Sequence, residues 1–414
     1  MPMNELSRTI ATGGSQVLIL GVSARAAVFS AVRAGFHPLA ADRFADEDLA
    51  AACDCLRIDS YPEDLESAAK ALPPCPWLYT GGLENYPQLV DRIADQRVLW
   101  GNPGRVLREV RNPFRVAETL RSAGLPALIV AAEPPGAAGG AWLQKPCRSG
   151  GGRGIEFVSG PPGEHRATRD RNERFPGQAR APSRRFYYQQ YVAGTPCSAV
   201  FVGARGQAVW LGATQQLIGA SWTGARGFEY AGSLGPLDLS PAHLRQWERI
   251  GNALAARFAL SGLFGVDAVM TEKAIWVVEV NPRYTASIEV IELACGVATM
   301  SPHVLACRDG ELPAEWPAVS PRDAPRPLGA TPRAGKAIIY AQSAGRVPAD
   351  FDDFARRLNQ DPARPSIADL PPCGREFSAG EPLVTVLACA PTLPAVVESL
   401  QQTTLSVQAA LGGA

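Results

Sequence analysis

The chain has little histidine, no net charge and no long apolar run, and each absence closes off a class of function. Four histidines (His37, His165, His243, His303) are scattered through 414 residues. The nine cysteines are irregularly spaced, and Cys53 and Cys55 form C-x-C with no second pair. Ligand spacing for a structural zinc is therefore missing. An odd cysteine count argues for reduced thiols rather than a disulfide framework. The 40 acidic and 40 basic side chains cancel, so neither a nucleic acid nor a membrane surface is an expected partner. No apolar stretch reaches the roughly 18 residues a spanning helix needs. Residues 1–15 are short and polar and lack the order of a signal peptide, so a cytoplasmic location is expected.

What is present is a chain long enough for two or three domains, with 46% hydrophobic residues to build their cores. Residues 16–100 alternate short apolar runs with helical stretches. Strands are expected at 17–21, 37–42, 56–58 and 77–80, with helices at 24–34 and 64–72. That order predicts a parallel sheet covered by helices, with ligands beyond the carboxyl ends of its strands. The first strand runs into Gly21-Val22-Ser23-Ala24-Arg25, which is not G-x-G-x-x-G. The plain reading there is a tight turn with N–H groups free for an anion. Gly81-Gly82-Leu83-Glu84 is a similar loop, equally readable as a substrate-facing loop or a turn. One helix is expected over 104–124, a surface loop over 159–185, and a strand hairpin over 264–280. Residues 308–333 read as a Pro-rich linker.

Two segments carry chemistry. In Lys145-Pro146-Cys147-Arg148-Ser149-Gly150-Gly151-Gly152-Arg153-Gly154, a strand delivers a lysine and a glycine turn follows. Glycines let backbone N–H groups approach phosphate oxygens, the lysine adds a point charge, and Ser149 adds a donor. The lysine precedes the glycines, so this is not the Walker pattern. The alternative is a hairpin tip with no ligand. The second segment pairs Asp267 with Glu279, Asn281 and Arg283 across the expected hairpin. Period two places Glu279 and Asn281 on one face. Two carboxylates and an amide oxygen suit Mg²⁺, leaving Arg283 for a transferring phosphoryl group. The alternative is an internal Glu279–Arg283 ion pair.

Together these segments resemble the ATP-grasp superfamily, which includes biotin carboxylase, D-alanine–D-alanine ligase and many carboxylate–amine ligases. Lys145 precedes Arg153-Gly154 as in biotin carboxylases, and Asp267 precedes a complete Glu-x-Asn-x-Arg motif at Glu279, Asn281 and Arg283. The resemblance implies that Lys145 contacts the α- and β-phosphates of ATP. Ser149, Gly150, Gly151, Gly152, Arg153 and Gly154 would form the lid loop. Asp267, Glu279 and Asn281 would hold Mg²⁺ or Mn²⁺, and Arg283 would stabilise the transferred phosphoryl group. Gln189, Gln190, Tyr191 and Val192 fall where the family's hinge reads adenine by backbone N–H and C=O. The sequence departs from the family in two places. Gln189 replaces the usual hinge glutamate. The lysine that opens the preceding helix is missing, with Arg111 or Arg115 as substitute.

The implied fold class is α/β, with α+β character in the ATP-grasp part. An N-terminal parallel-sheet domain (1–103) would precede an ATP-grasp domain of antiparallel sheets and helices (104–307), its lid at about 127–190 and its catalytic core at about 191–307. The linker (308–333) and a small β-containing C-terminal subdomain (334–414) would follow. The implied function is an ATP-dependent ligase that joins a carboxylate to an amine or thiol through an acyl phosphate, working on small molecules, as a homodimer in many relatives. Candidates for the acceptor pocket are Gln215, Gln216, Arg226, Tyr284, Ser287 and Glu289, with residues 222–224 as a loop over the site. Residues 282–287 resemble a group of carboligases that accompany tetrahydromethanopterin- and methanofuran-dependent one-carbon metabolism, which points to coenzyme biosynthesis. Two other readings stand beside this one: a nucleotide-binding regulatory protein without chemistry, and a biotin-dependent carboxylase-like subunit. The altered tail of the motif and the lack of a Met-Lys-Met attachment site speak against the latter.

Overall fold

The computed structural model describes residues 14–134, 140–158, 186–314, 316, 332–361 and 364–412. The loop expected at 159–185 and most of the Pro-rich stretch lie outside them.

The N-terminal residues form a fully parallel sheet of β1 (Gln16–Gly21), β2 (His37–Asp42), β3 (Asp54–Arg57) and β4 (Trp77–Tyr79), in the order β3-β2-β1-β4. Alternation sorts β1 between two cores. Val17 and Ile19 pack with Ala27, Val28 and Ala31 of α1 (Arg25–Arg33), on the side that also takes Leu49 of α2 (Glu47–Ala52). Leu18 and Leu20 face Leu65 of α3 (Leu65–Ala71) and Val90 and Ile93 of α4 (Pro87–Ala94).

The single helix expected over 104–124 is two: α5 (Gly104–Val110) and α6 (Pro113–Ser122). Pro113 has no N–H to continue a helix and pushes Asn112 into extended backbone. The Asn112 side chain then caps α6, accepting from the Phe114 N–H at 3.0 Å.

A small antiparallel sheet follows, in the order β5-β8-β6-β7, from β5 (Val130–Ala131), β6 (Trp142–Pro146), β7 (Glu156–Phe157) and β8 (Phe186–Gln190). It stands over an eight-stranded antiparallel sheet of β9 (Thr195–Ala204), β10 (Gln207–Ile218), β11 (Tyr230–Gly235), β12 (Gly262–Met270), β13 (Ile275–Asn281), β14 (Arg333–Tyr340), β16 (Ile367–Ala368) and β18 (Pro382–Ala390). The order is β13-β12-β9-β10-β11-β14-β18-β16, so the C-terminal strands extend the central sheet. A separate pair joins β15 (Gly345–Arg346) to β17 (Glu376–Phe377).

Helix α7 (Pro241–Phe258) starts at a Ser240 cap and packs Trp247, Ile250 and Leu254 onto Phe201 and Phe264, whose rings stack at 5.1 Å. On the other face lie α8 (Ala286–Cys295) and α9 (Met300–Arg308), while α10 (Phe351–Leu358) and α11 (Leu393–Ala410) cover the C-terminal strands. Among the described residues no single helix is long and apolar enough to cross a membrane. Helices α8 and α9 reach that length only together, bent by 119° and largely buried.

A buried charge cluster ties these parts together. Arg25 on α1 pairs with Glu289 on α8, with Asp369 at 2.9 Å and with Asp48 at 3.7 Å, and Lys336 on β14 reaches Glu289 at 2.9 Å. Burial works against the Glu289 carboxylate, but Arg25 and Lys336 hold its pKa well below the ordinary range. Replacing it leaves two buried cations without their shared partner. Glu289→Ala is expected to cost about 3–5 kcal/mol, read as a lower urea midpoint at unchanged m-value; a midpoint equal to the parent's would refute the assignment.

Candidate functional site

A cleft of about 510 Å³ lies between the small sheet and the large one, a volume ordinary for a small-molecule site. Strand β6 brings Lys145 to its roof, followed by the glycine turn. Gly151, Gly152 and Gly154 have φ of +64°, +77° and +72°, a region that favours glycine. A Cβ on Gly152 would sit 1.8 Å from the Phe228 carbonyl oxygen, and the Tyr230 N–H donates to the Gly151 carbonyl at 3.0 Å. The turn therefore rests on the segment that enters β11. Ser149, Gly150, Gly151 and Gly152 line the cleft. Arg153 and Gly154 stand outside the lining, and Arg153 turns to Glu229 at 3.9 Å and the Gly380 carbonyl at 3.5 Å.

Lys145 is buried. Its ammonium donates to Gln189 Oε1 at 3.1 Å and lies over the Tyr187 ring at 5.7 Å. Burial, and then the neighbouring Arg111, push its pKa down to about 8. Gln189 Nε2 donates onward to the Val278 carbonyl at 3.2 Å, bridging β8 to β13. An amide can accept from the lysine and donate to a carbonyl at once, which an ionised glutamate cannot. Val116, Leu120, Leu128, Leu143 and Val277 form an apolar slot beside the hinge. The hinge offers fewer donors than expected. The N–H groups of Gln190 and Tyr191 already go to the carbonyls of Ile129 and Ala141, both at 2.9 Å. Among the described residues, the Val192 N–H is the hinge donor left for a base.

On the floor, the β12–β13 hairpin sets Asp267 directly opposite Glu279, with a register shift just after Asp267, and Asn281 opposite Gly265. Asp267 accepts from Gln216 Nε2 at 2.9 Å and from Asn281 Nδ2 at 2.8 Å. These are neutral donors, and burial raises its pKa against them. Glu279 pairs with Arg111, which also donates to the Ser149 carbonyl at 3.3 Å and to Asn85 Oδ1 at 3.4 Å. Arg115 points outward to Glu118 and Glu109, so of the two arginines Arg111 is the one that lines this cleft. Arg283 turns to Glu84 at 2.6 Å, Asn281 Oδ1 at 3.3 Å and the Tyr284 carbonyl at 3.1 Å. The Glu279–Arg283 pair considered from sequence does not form.

Residues 110–287 match the family model of the ATP-grasp domain. The chain carries an ATP-grasp domain. The fold as a whole is similar to that of N5-carboxyaminoimidazole ribonucleotide synthetase from Thermus thermophilus, at a TM-score of 0.63 and 14% identity, covering 94% of this chain and 98% of that one. It is also similar to the biotin carboxylase domain of the Hydrogenobacter thermophilus 2-oxoglutarate carboxylase (TM-score 0.68, 16% identity, 95% of this chain and 89% of that one). A third similar structure is the L-amino acid ligase from Bacillus licheniformis (TM-score 0.65, 14% identity, 96% and 98%). At these identities the likeness is one of fold. None of the curated proteins matches the chain in sequence.

Several acceptor candidates lie elsewhere than expected in this ATP-grasp fold. Strand β10 runs on through Ile218, so Gln215 and Gln216 are within it and face opposite ways. Gln216 holds Asp267, and Gln215 is outside the cleft lining. Tyr284 is core: its hydroxyl meets the Ala26 carbonyl at 3.3 Å and Glu292 at 3.4 Å. Glu289 is locked between Arg25 and Lys336. Arg226 is exposed and outside the lining. Trp222 packs on the C-terminal core, not over the site. Ser287 does reach the cleft, bonded to Thr285 at 3.0 Å. At the Gly21–Arg25 turn, Asp42 takes the Ala24 N–H at 2.5 Å, so that amide is not open to an anion. Glu84 and Asn85 were missed. Their signal is an acid and an amide in the Gly-Gly loop beyond a parallel strand.

With its pKa near 8, Lys145 is charged below that pH and neutral above it. Phosphate favours the charged form, so Mg²⁺·ADP affinity is expected to fall as pH rises through about 8, with proton uptake on binding near that pH. Calorimetry in buffers of different ionisation enthalpy measures both. A dissociation constant that stays flat across this pH range in the parent, or that rises equally in Lys145→Met, would overturn the assignment.

Proposed function

We propose that the chain is an ATP-dependent ligase that activates a carboxylate as an acyl phosphate and joins it to an amine. The observation that carries this is one cleft with Lys145 and the glycine turn on its roof and Asp267, Glu279, Asn281 and Arg283 on its floor. Roof charge and N–H groups suit a polyphosphate, and the apolar slot with the Val192 N–H suits a base.

The donor set fits a hard divalent cation. Asp267 is a half-buried carboxylate in the cleft wall whose hydrogen-bond donors are neutral, Glu279 stands opposite it in register, and Asn281 adds an amide oxygen. When bound, Mg²⁺ or Mn²⁺ would neutralise phosphate oxygens there. Glu279 would be exchanged from Arg111, freeing the guanidinium for the nucleotide. In the first step a carboxylate oxygen attacks the γ-phosphorus and the bond to the β–γ bridging oxygen breaks, leaving ADP and an acyl phosphate. Arg283 faces that charge from the floor and Lys145 from the roof. In the second step the amine attacks the acyl carbon, phosphate departs with the bonding pair, and the amine loses a proton. The chain contributes position and charge, and the glycine turn lying against β11 keeps water from the acyl phosphate.

One observation favours a second reading, nucleotide binding without chemistry: Arg111 already occupies Glu279. The one-carbon coenzyme pathway rests on the resemblance of residues 282–287 alone, and no cleft residue supports it further. ADP release screened over carboxylate and amine pairs separates the readings. Release that needs both substrates supports the ligase. Measurable ATP binding with no release for any pair would sink it, and bicarbonate dependence would favour a carboxylase-like subunit. Lys145→Ala is expected to lower turnover by about 100-fold or more with the melting temperature little changed. Glu279→Gln is expected to weaken the Mg²⁺ dependence of nucleotide binding; an unaltered dependence would remove Glu279 from the ligand set.

A further inference from the structure

Glu84 lies on the turn Leu83–Asn85 just beyond β4, is 3% exposed, and does not line the cleft. A carboxylate buried that far from water is costly unless paired. Its partner is Arg283 at 2.6 Å, and that pairing outweighs the burial and keeps the acid below its ordinary pKa. The loop is shaped for this meeting. A Cβ on Gly81 would lie 3.5 Å from the Arg283 guanidinium carbon, and one on Gly82 would lie 2.5 Å from the Tyr61 hydroxyl. The peptide just before Arg283 is anchored by the same N-terminal residues, since the Pro282 carbonyl accepts from Asn102 at 3.0 Å and from Tyr79 at 3.4 Å.

The pairing is one-pronged. Glu84 Oε2, Arg283 Nε and the Tyr61 hydroxyl are buried with no hydrogen-bond partner among the described residues. A buried arginine and carboxylate ordinarily meet by two parallel bonds. Here one Glu84 oxygen holds a guanidinium that also reaches Asn281 and the Tyr284 carbonyl. The competing attraction is Asp267, whose charge also acts on Arg283. If Arg283 turned to Asp267 it would neutralise the acid a divalent cation needs and leave the phosphoryl position.

We infer that Glu84 is a positioning residue: it draws Arg283 away from Asp267 and holds the guanidinium, charged, toward the γ-phosphoryl position. The inference rests on the ligase reading only in placing the γ-phosphoryl group beside Arg283. The test is equilibrium binding of Mg²⁺·ADP and Mg²⁺·AMP-PNP by calorimetry. Glu84→Gln is expected to bind ADP within about threefold of the parent and to lose about tenfold in AMP-PNP affinity, the scale of a charge-assisted hydrogen bond. Arg283→Gln should show the same loss, the double variant no further loss, and Glu84→Asp a partial recovery. Equal losses for both nucleotides, unchanged AMP-PNP binding, or losses that add in the double variant would each overturn the inference. If Glu84→Gln does not fold by its melting curve, Glu84→Asp against Arg283→Lys carries the same comparison. No turnover is read, so these results stand whether or not a substrate pair is found. A parent that binds ADP but not AMP-PNP would count against the ligase reading instead.

Discussion

The Asp267 carboxylate sits on an interior strand of the large sheet, half-buried at the cleft, with its oxygens on the amides of Gln216 and Asn281. Neutral amides satisfy its geometry but not its charge, and in a low-dielectric cleft that charge reaches far. Every cation nearby is exposed to its pull, and each is held by another acceptor. Lys145 is bonded to Gln189, Arg283 to Glu84, and Arg111 to Glu279. The result is a negative floor with cations ranged around it, the charge pattern that the proposed binding of a divalent ion with a polyphosphate requires. Were any of the three cations free to collapse onto Asp267, the cleft would become an ordinary internal ion pair.

The restraining groups come from distant parts of the chain, which explains what sequence could and could not reveal. The roof and floor motifs are local: lysine then glycines, and acids spaced across a short hairpin. Period two and turn chemistry are enough to place them, and the register of Asp267 against Glu279 follows from the hairpin. The parallel N-terminal sheet was legible for the same reason, although Pro113 broke a helix that apolar periodicity had joined. The loop that carries Glu84 was legible, but the pairing of Glu84 with Arg283 was not, because the two lie 199 residues apart. Glu289 and Tyr284 misled for the same reason. They lie within six residues of Arg283, yet Tyr284 and the helix α8 that follows it are buried against α1, so closeness in sequence does not bring either side chain into the cleft. Residues 189–192 do line the cleft, but they offer fewer donors than expected, since only the neighbouring strands determine which of their N–H groups are spent.

The N-terminal sheet is therefore more than a neighbour to the ATP-grasp domain. Its carboxyl ends point at the turn that carries Arg283, as ligand sites in parallel sheets do. Tyr79, Asn102 and Glu84 hold that turn from one side. From the other, Val200, Val202 and Ile288 share a single core with Val17, Ile19 and Val28. The C-terminal strands close the third side. Lys336 meets Glu289, Asp369 meets Arg25, and the Gly380 carbonyl meets Arg153 from the glycine turn. The Gly380–Arg153 contact joins the glycine turn to a segment outside the matched residues 110–287, and the other two join C-terminal residues to α8 and α1. The position of the arginine at the floor is thus a property of the whole chain, set by contacts that the motif containing it does not encode.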